Sequence, residues 1–176
     1  SYEAGLKARI LDRRVSLDLA VFRSDYSDLQ QSVAQFTATS AFITIANVGG
    51  LRTQGIEAGI TWKPNDRFEF GTNFAFLDAK YQNYPNGGCN ALQAYLAQQA
   101  GQTGCSQDLS GKSPPFAPDY SGNVRASYNT PIGGSLRLDI DAMLNFSGSY
   151  FVITDRDPHS LQRLAEGRFA REHRRH

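Results

Sequence analysis

Asp139 and Asp141 are the residues whose types and spacing most readily suit chemistry. Side chains two positions apart on a strand share a face, so the two carboxylates could work as a paired acid and base. The pair has no His partner and no nucleophile pattern beside it, and both residues read equally as part of a wetted polar face. His159, His173 and His176 stand at no metal-ligand spacing from Cys89 and Cys105. Val48-Gly49-Gly50 and Gly133-Gly134 open no helix, so neither is a phosphate loop. Gly55, Gly59 and Gly71 suit strand positions where large neighbours crowd the backbone. The expectation is no catalytic centre, no cofactor, no metal and no enzymatic activity.

Cys89 and Cys105 offer chemistry of a structural kind. Fifteen residues lie between them. A disulfide closing that loop would stabilise it by about 3 kcal/mol on chain-entropy grounds. It would require an oxidising compartment, such as the periplasm or the cell exterior; two free thiols are the alternative. Residues 91–100 (ALQAYLAQQA) read as a short helix ended by Gly101. A helix pinned on a loop in this way suits a ligand-contacting surface or a passive cap.

The elements that must position these residues are strands. Leu136, Leu138, Ile140, Ala142, Leu144 and Phe146 alternate with Arg137, Asp139, Asp141, Met143, Asn145 and Ser147. Period two makes a ribbon with one apolar and one polar face. The same alternation places Ala4, Leu6, Ala8 and Ile10 on one face, as it does Val15, Leu17, Leu19 and Val21. It continues through Ile56, Ala58, Ile60 and Trp62, through Phe68, Phe70, Thr72, Phe74 and Phe76, and through Val124, Ala126 and Tyr128. It predicts strands at about 2–11, 14–27, 42–63, 67–82, 119–130 and 135–151. Most exceed the roughly five or six residues of an ordinary soluble strand and reach the about 9–11 that cross a membrane. The other face carries Lys7, Arg9, Asp18, Glu57, Glu69, Arg125, Arg137, Asp139 and Asp141, fit to line a wet or plugged lumen.

The connections sort by length. Asp12-Arg13, Pro64-Asn65-Asp66 and Pro131-Ile132-Gly133-Gly134 read as short turns, whereas about 28–41 and 83–118 are long excursions. Short turns at one end and long loops at the other is the layout of an outer-membrane barrel. In it, Leu17, Leu19, Ile60, Trp62, Phe68, Phe70, Phe74, Leu138, Ile140 and Leu144 face lipid. Trp62 and Tyr128 at one end, and Tyr120 and Tyr150 at the other, would form interfacial girdles; ordinary aromatic pairing on a sheet is the alternative.

Composition excludes other classes. The 176 residues are 11% aromatic and 20% charged, with a net charge of +1. That is too aromatic and too weakly charged for a disordered chain, and it exerts no general pull on nucleic acid. No apolar run is long enough for a transmembrane helix. Residues 163–176 differ in texture: five arginines against Glu166 and Glu172 make this stretch +3, leaving 13 basic and 15 acidic residues elsewhere.

The segment Ala46-Asn47-Val48-Gly49-Gly50-Leu51-Arg52-Thr53-Gln54-Gly55-Ile56-Glu57-Ala58, followed by Trp62-Lys63-Pro64, resembles the Asn-x-Gly-x-x-x-x-x-Gly-x-Glu strand and Pro turn of TonB-dependent outer-membrane receptors. Arg23-Ser24-Asp25-Tyr26-Ser27-Asp28-Leu29-Gln30 resembles an aromatic-rich strand end of that family. Leu109-Ser110-Gly111-Lys112, with Pro114, Pro118 and Tyr120, resembles the entry into a later strand. The similarity covers residues 1–162, as the C-terminal half of such a barrel.

The resemblance implies an antiparallel transmembrane barrel of about 22 strands around an N-terminal plug. It implies active uptake of a scarce small-molecule ligand, a ferric siderophore or similar, across the outer membrane of a Gram-negative bacterium. The partners implied are outer-membrane lipid, the plug and the rest of the barrel, and the TonB complex acting through the plug. The chain reads as a fragment that begins inside a strand, without plug or TonB-contacting segment, from a truncated, frameshifted or partial gene. On this reading residues 1–162 are part of a barrel and 163–176 lie outside the fold. About six strands cannot close where single-chain barrels begin at about eight, so the fragment alone is not expected to transport. The alternative is a soluble secreted β-sandwich binding module, which predicts shorter strands and mixed loop lengths.

Overall fold

A computed structural model describes residues 1–36, 41–102, 104–154, 156–158, 161–162 and 165–175. In chain order its elements are β1 (Tyr2–Ile10), β2 (Val15–Tyr26), β3 (Gln30–Phe36), β4 (Ala41–Asn47), β5 (Gly50–Asn65), β6 (Phe68–Asn83) and β7 (Gly87–Gly88). They continue with α1 (Ala91–Gln99), β8 (Ser106–Gln107), β9 (Tyr120–Gly133), β10 (Leu136–Ser147), β11 (Tyr150–Phe151), β12 (Leu161–Gln162) and β13 (Ala165–Arg175). One seven-stranded sheet runs β1-β2-β5-β6-β9-β10-β13. Its neighbours are all antiparallel, so the chain meanders up and down. Among the described residues the sheet is open, with β1 and β13 at its edges.

The short connections between neighbours of the seven-stranded sheet lie at one end. Leu11, Asp12 and Arg13 turn β1 into β2 through left-handed backbone, at φ 52°, 53° and 67°. Asp66-Arg67 joins β5 to β6, where Asn65 Oδ1 accepts the N–H groups of Arg67 (2.9 Å) and Phe68 (3.1 Å). That side-chain acceptor mimics a backbone turn, which is why Asn sits there. Gly134-Ser135 joins β9 to β10, and Gly133 (φ 121°) has a backbone geometry that only glycine adopts without cost. The long connections 27–49, 84–119 and 148–164 all lie at the other end.

The structure corrects three boundaries. The predicted strand 42–63 is two strands, because the chain turns at Val48-Gly49. Gly49 has φ 68°, and Asn47 Oδ1 accepts its N–H at 2.9 Å. The first half, β4, pairs with β3 instead, so the excursion at 28–41 contains a strand. The last strand of the 135–151 segment ends at Ser147. Tyr150 belongs to β11 and meets Phe116 at 6.1 Å between ring centroids, which removes it from the upper girdle.

The sheet is a single layer. Ile60 and Leu144 remain 46% and 48% exposed, so among the described residues no second sheet covers the apolar face as a sandwich would require. The buried cluster lies among the long loops: Val48, Tyr81, Tyr84 and Leu109, with Leu29 and Leu51 packed against it. Backbone bonds hold it together: Val48 N–H to the Leu29 carbonyl (2.8 Å), Tyr81 N–H to Lys112 (3.0 Å) and Gly111 N–H to Tyr81 (2.8 Å). The loops are thus clamped to the tops of β5 and β6. The backbone of residues 165–175, which the sequence reading leaves outside the fold, runs beside β10. Its register sets Arg171 opposite Ile140, His173 opposite Leu138 and Arg175 opposite Leu136.

Candidate functional site

Residues directly opposed across an antiparallel pair share a face. Register therefore assembles the outer rows. Val15, Trp62, Phe70 and Ala126 stand in one row, and Leu17, Ile60, Thr72, Val124 and Leu144 in the next. Above them come Leu19, Ala58 and Phe74, then Val21, Ile56, Phe76 and Tyr120. Phe68, Tyr128 and Ile140 align below, and Leu138 lies opposite Thr130. All the side chains read as lipid-facing from the sequence fall on this one face. Rings interlock along it: Trp62–Phe70 at 5.6 Å, Phe68–Tyr128 at 4.6 Å and Phe74–Phe76 at 4.5 Å. On β6 the belt runs from Phe68 to Phe76, about 26 Å along the strand, or roughly 20 Å in height once tilted, close to the ~25 Å apolar band of membrane barrels.

Above the belt the same face becomes charged. Arg23, Gln54 and Asp78 occupy the next row, and Asp25, Arg52 and Lys80 the one beyond. Asp25 accepts the Nε–H of Arg23 at 3.3 Å and of Arg52 at 2.6 Å. Asp78 accepts from Gln54 Nε2 at 3.0 Å and pairs with Lys80 Nζ at 2.8 Å.

The opposite face is polar and concave, with a trough of about 800 Å³ lined by Glu3, Lys7, Asp18, Glu57, Asn73 and Asn145 among others. Some of its charges are paired across strands. Lys7 Nζ lies 3.7 Å from Asp18, and Glu69 is held between Lys63 (2.8 Å) and the Arg125 guanidinium. Asp139 and Asp141 share this face but not a partner. Arg137 Nε donates to Asp139 at 3.2 Å, and Ser127 Oγ donates to Asp141 at 2.6 Å. Asp139 is thus held by a neighbour on its own strand and Asp141 by the adjoining strand, which is the structural alternative to an acid/base pair.

The 84–119 loop is built rather than slack. Cys89 and Cys105 are disulfide-bonded with Cα atoms 5.9 Å apart. Asn90 caps α1: its Oδ1 accepts the Gln93 N–H, and Gln93 Oε1 accepts the Asn90 N–H, both at 2.9 Å. This reciprocal capping box satisfies helix donors that would otherwise be orphaned. Leu92, Tyr95 and Leu96, at i, i+3 and i+4, present one exposed apolar stripe. Asp108 Oδ1 accepts the Ser110 N–H at 2.8 Å, and Ser110 Oγ accepts the Tyr84 N–H at 2.9 Å. The sequence reading missed both this turn and the buried cluster beneath it. Asp108-x-Ser110, like Asn47-x-Gly49, was the available signal, since Asx residues bond backbone two positions on.

Residues 1–165 match the family model described as TonB dependent receptor-like, beta-barrel. The chain belongs to this family. It also matches the crystal structure of the siderophore receptor PiuA from Acinetobacter baumannii, at a TM-score of 0.55 and 20% identity, over 95% of this chain and 20% of that one. The chain thus spans a fifth of that receptor's length, and at this identity the likeness is one of fold. TonB-dependent receptors are receptors and transporters rather than enzymes.

Two predictions concern the loop of this receptor barrel. Replacing Cys89 and Cys105 by Ser should cost the loop about 2–4 kcal/mol. Hydrogen exchange should report it as lost protection in α1 with the sheet unchanged; equal protection in both forms would refute it. Asp108 has its carboxyl held below the usual 3.8 by hydrogen bonds from the Ser110 side chain and backbone. A depressed carboxylate stabilises the fold above the unfolded value and loses that contribution as pH falls through the folded one. Loop protection should therefore fall with acidification below 3.8, and Asp108→Asn should flatten that dependence. A variant with the wild-type acid profile would show that Asp108 does not hold the turn.

Proposed function

We propose that this chain is a segment of an outer-membrane TonB-dependent transporter, with its apolar face against lipid and its polar trough turned to the lumen. The observation that carries this reading is the single-layer sheet whose apolar face no layer covers among the described residues, in a chain of this family. Lipid would serve as the missing layer, and only a closed barrel satisfies backbone groups there. The open edges at β1 and β13 mean that transport needs the remaining strands. The ligand class we favour is a ferric siderophore, supported by the siderophore receptor that shares the fold. The remaining partners are a plug in the lumen and the TonB complex acting through it. Residues 163–176 we read as outside the barrel: the family match ends at residue 165, and the register sets basic positions against the apolar row. Deleting them should leave the folded band of the receptor on unheated gels unchanged; its loss would make β13 a barrel strand.

An antibody to residues 83–118, used on fractionated source cells, tests the main reading. The expected result is an outer-membrane band well above 19.4 kDa. A soluble band at 19.4 kDa would overturn it. Grafting a foreign loop over 84–119 should weaken binding of the ferric siderophore; unchanged affinity would remove this loop from the ligand surface.

A further inference from the structure

The two long loops that flank β5 and β6 have charge-free tips. Residues 29–51 and 81–107 hold no Asp, Glu, Lys, Arg or His, whereas the chain as a whole is 20% charged and would put about ten charges in those fifty positions. The two loops form one body. Leu29 and Val48, from the first, pack with Tyr84 and Leu109, from the second, and β3 runs beside β7. The disulfide and the Asn90–Gln93 capping box fix α1 within it. Its exposed side chains are uncharged: Leu92, Tyr95, Leu96 and the Gln98 amide on α1, and Ile43 and Ile45 on β4.

The described cations around this body already have partners. Arg23 and Arg52 hold Asp25, and Lys80 pairs with Asp78, all on the belt side. Lys112 lies near Asp108. Arg156 sits 4.2 Å from the centre of the Phe151 ring and donates to the Ser113 carbonyl at 3.1 Å. An anion seated on the charge-free tips would lose water without gaining a cation, which is costly, whereas an uncharged ligand escapes that cost. Iron(III) can be presented in either form. Three hydroxamates, each with one negative charge, neutralise it; three catecholates, each with two, leave a trianion. We infer that these two loops select an uncharged ferric trihydroxamate, whose apolar and carbonyl surfaces meet the Tyr95 stripe and the amides beside it. This rests on the siderophore reading above.

The test uses the natural polypeptide that carries this chain, confirmed in the outer membrane by fractionation and folded by its mobility on unheated gels. Calorimetric titration gives its affinity for a cyclic ferric trihydroxamate with no other ionisable group, and for a ferric triscatecholate. Wild type should bind the trihydroxamate about tenfold tighter, the size of one charge-assisted contact that the trianion fails to make. Tyr95→Lys, and Gln98→Lys as a second exposed position, supply the missing cation and should each narrow that ratio about tenfold. Asp66→Lys, in the short turn at the far end, should leave it unchanged. Equal or tighter binding of the triscatecholate by wild type overturns the inference and leaves the siderophore reading standing. A wild-type ratio in both lysine variants also overturns it, since the charge of the ligand would then be read elsewhere. Binding of neither ferric complex overturns the siderophore reading itself, and the inference with it.

Discussion

If the apolar face meets lipid as proposed, Ile60→Arg should destabilise the barrel by about 2–4 kcal/mol, the cost of a cation in the middle of a lipid-facing surface. Ile60 lies between Leu17 and Thr72 in a middle row of the belt, with Trp62 and Ala58 two residues away along the strand on the same side. Asn73→Arg on the neighbouring strand is the matched control. Asn73 faces the trough, where its amide donates to Asn123 at 3.4 Å, and an arginine there reaches water or a paired acid. It should cost under about 1 kcal/mol, since only a long hydrogen bond is lost. Both positions look exposed in the isolated chain, so a water-facing sheet would treat the two substitutions alike. Denaturant titration of the refolded receptor in bilayers gives the comparison. Equal tolerance of the two arginines would mean that the belt does not meet lipid.

What the sequence disclosed followed from how local each cause is. Alternation is a property of adjacent residues, so the rows containing Leu17, Ile60, Phe70 and Leu144 were readable without knowing which strands pair. The break at Gly49 was not read, although the apolar parity changes across it, from Ile43 and Ile45 to Ile56, Ile60 and Trp62, and Asn47 signals the turn two residues earlier. The buried cluster was harder still. Val48, Tyr81 and Leu109 are far apart in the chain, and nothing near Tyr81 says that it will be covered by a loop some thirty residues on rather than face lipid or lumen. The pairing of Asp139 and Asp141 with Arg137 and Ser127 likewise depends on rotamers and on a neighbouring strand. Arg23, Arg52 and Lys80 continue the parity of the apolar face on three strands. The parity was visible, but only register shows that the three change to polar at one level.

Glycine is where that locality matters most for stability, and Gly55→Ala should cost about 2–4 kcal/mol as an overpacked site that cannot relax. A Cβ at Gly55 would fall well inside contact with the Phe76 carbonyl oxygen, and 2.9 Å from Phe22 Cζ. That carbonyl belongs to the β5–β6 pair, so it cannot retreat without breaking the ladder at the top of the belt. Gly59 is milder: its Cβ would meet Asn73 Oδ1 at 2.9 Å, and an amide on a rotatable side chain can swing away. Gly71, which the sequence reading also placed in a crowded spot, is open. The nearest atoms to a Cβ there are Arg125 Nε and Nη2 at 3.7 Å, an ordinary contact with the mobile end of a long side chain. Gly71→Ala should therefore be neutral or stabilise by up to about 1 kcal/mol, because alanine narrows the unfolded ensemble without strain in the strand. Unfolding of the two variants under the same conditions separates crowding from mere strand membership. If Gly55→Ala and Gly71→Ala shift the midpoint equally, the close approach of β6 and Phe22 to Gly55 does not constrain the barrel.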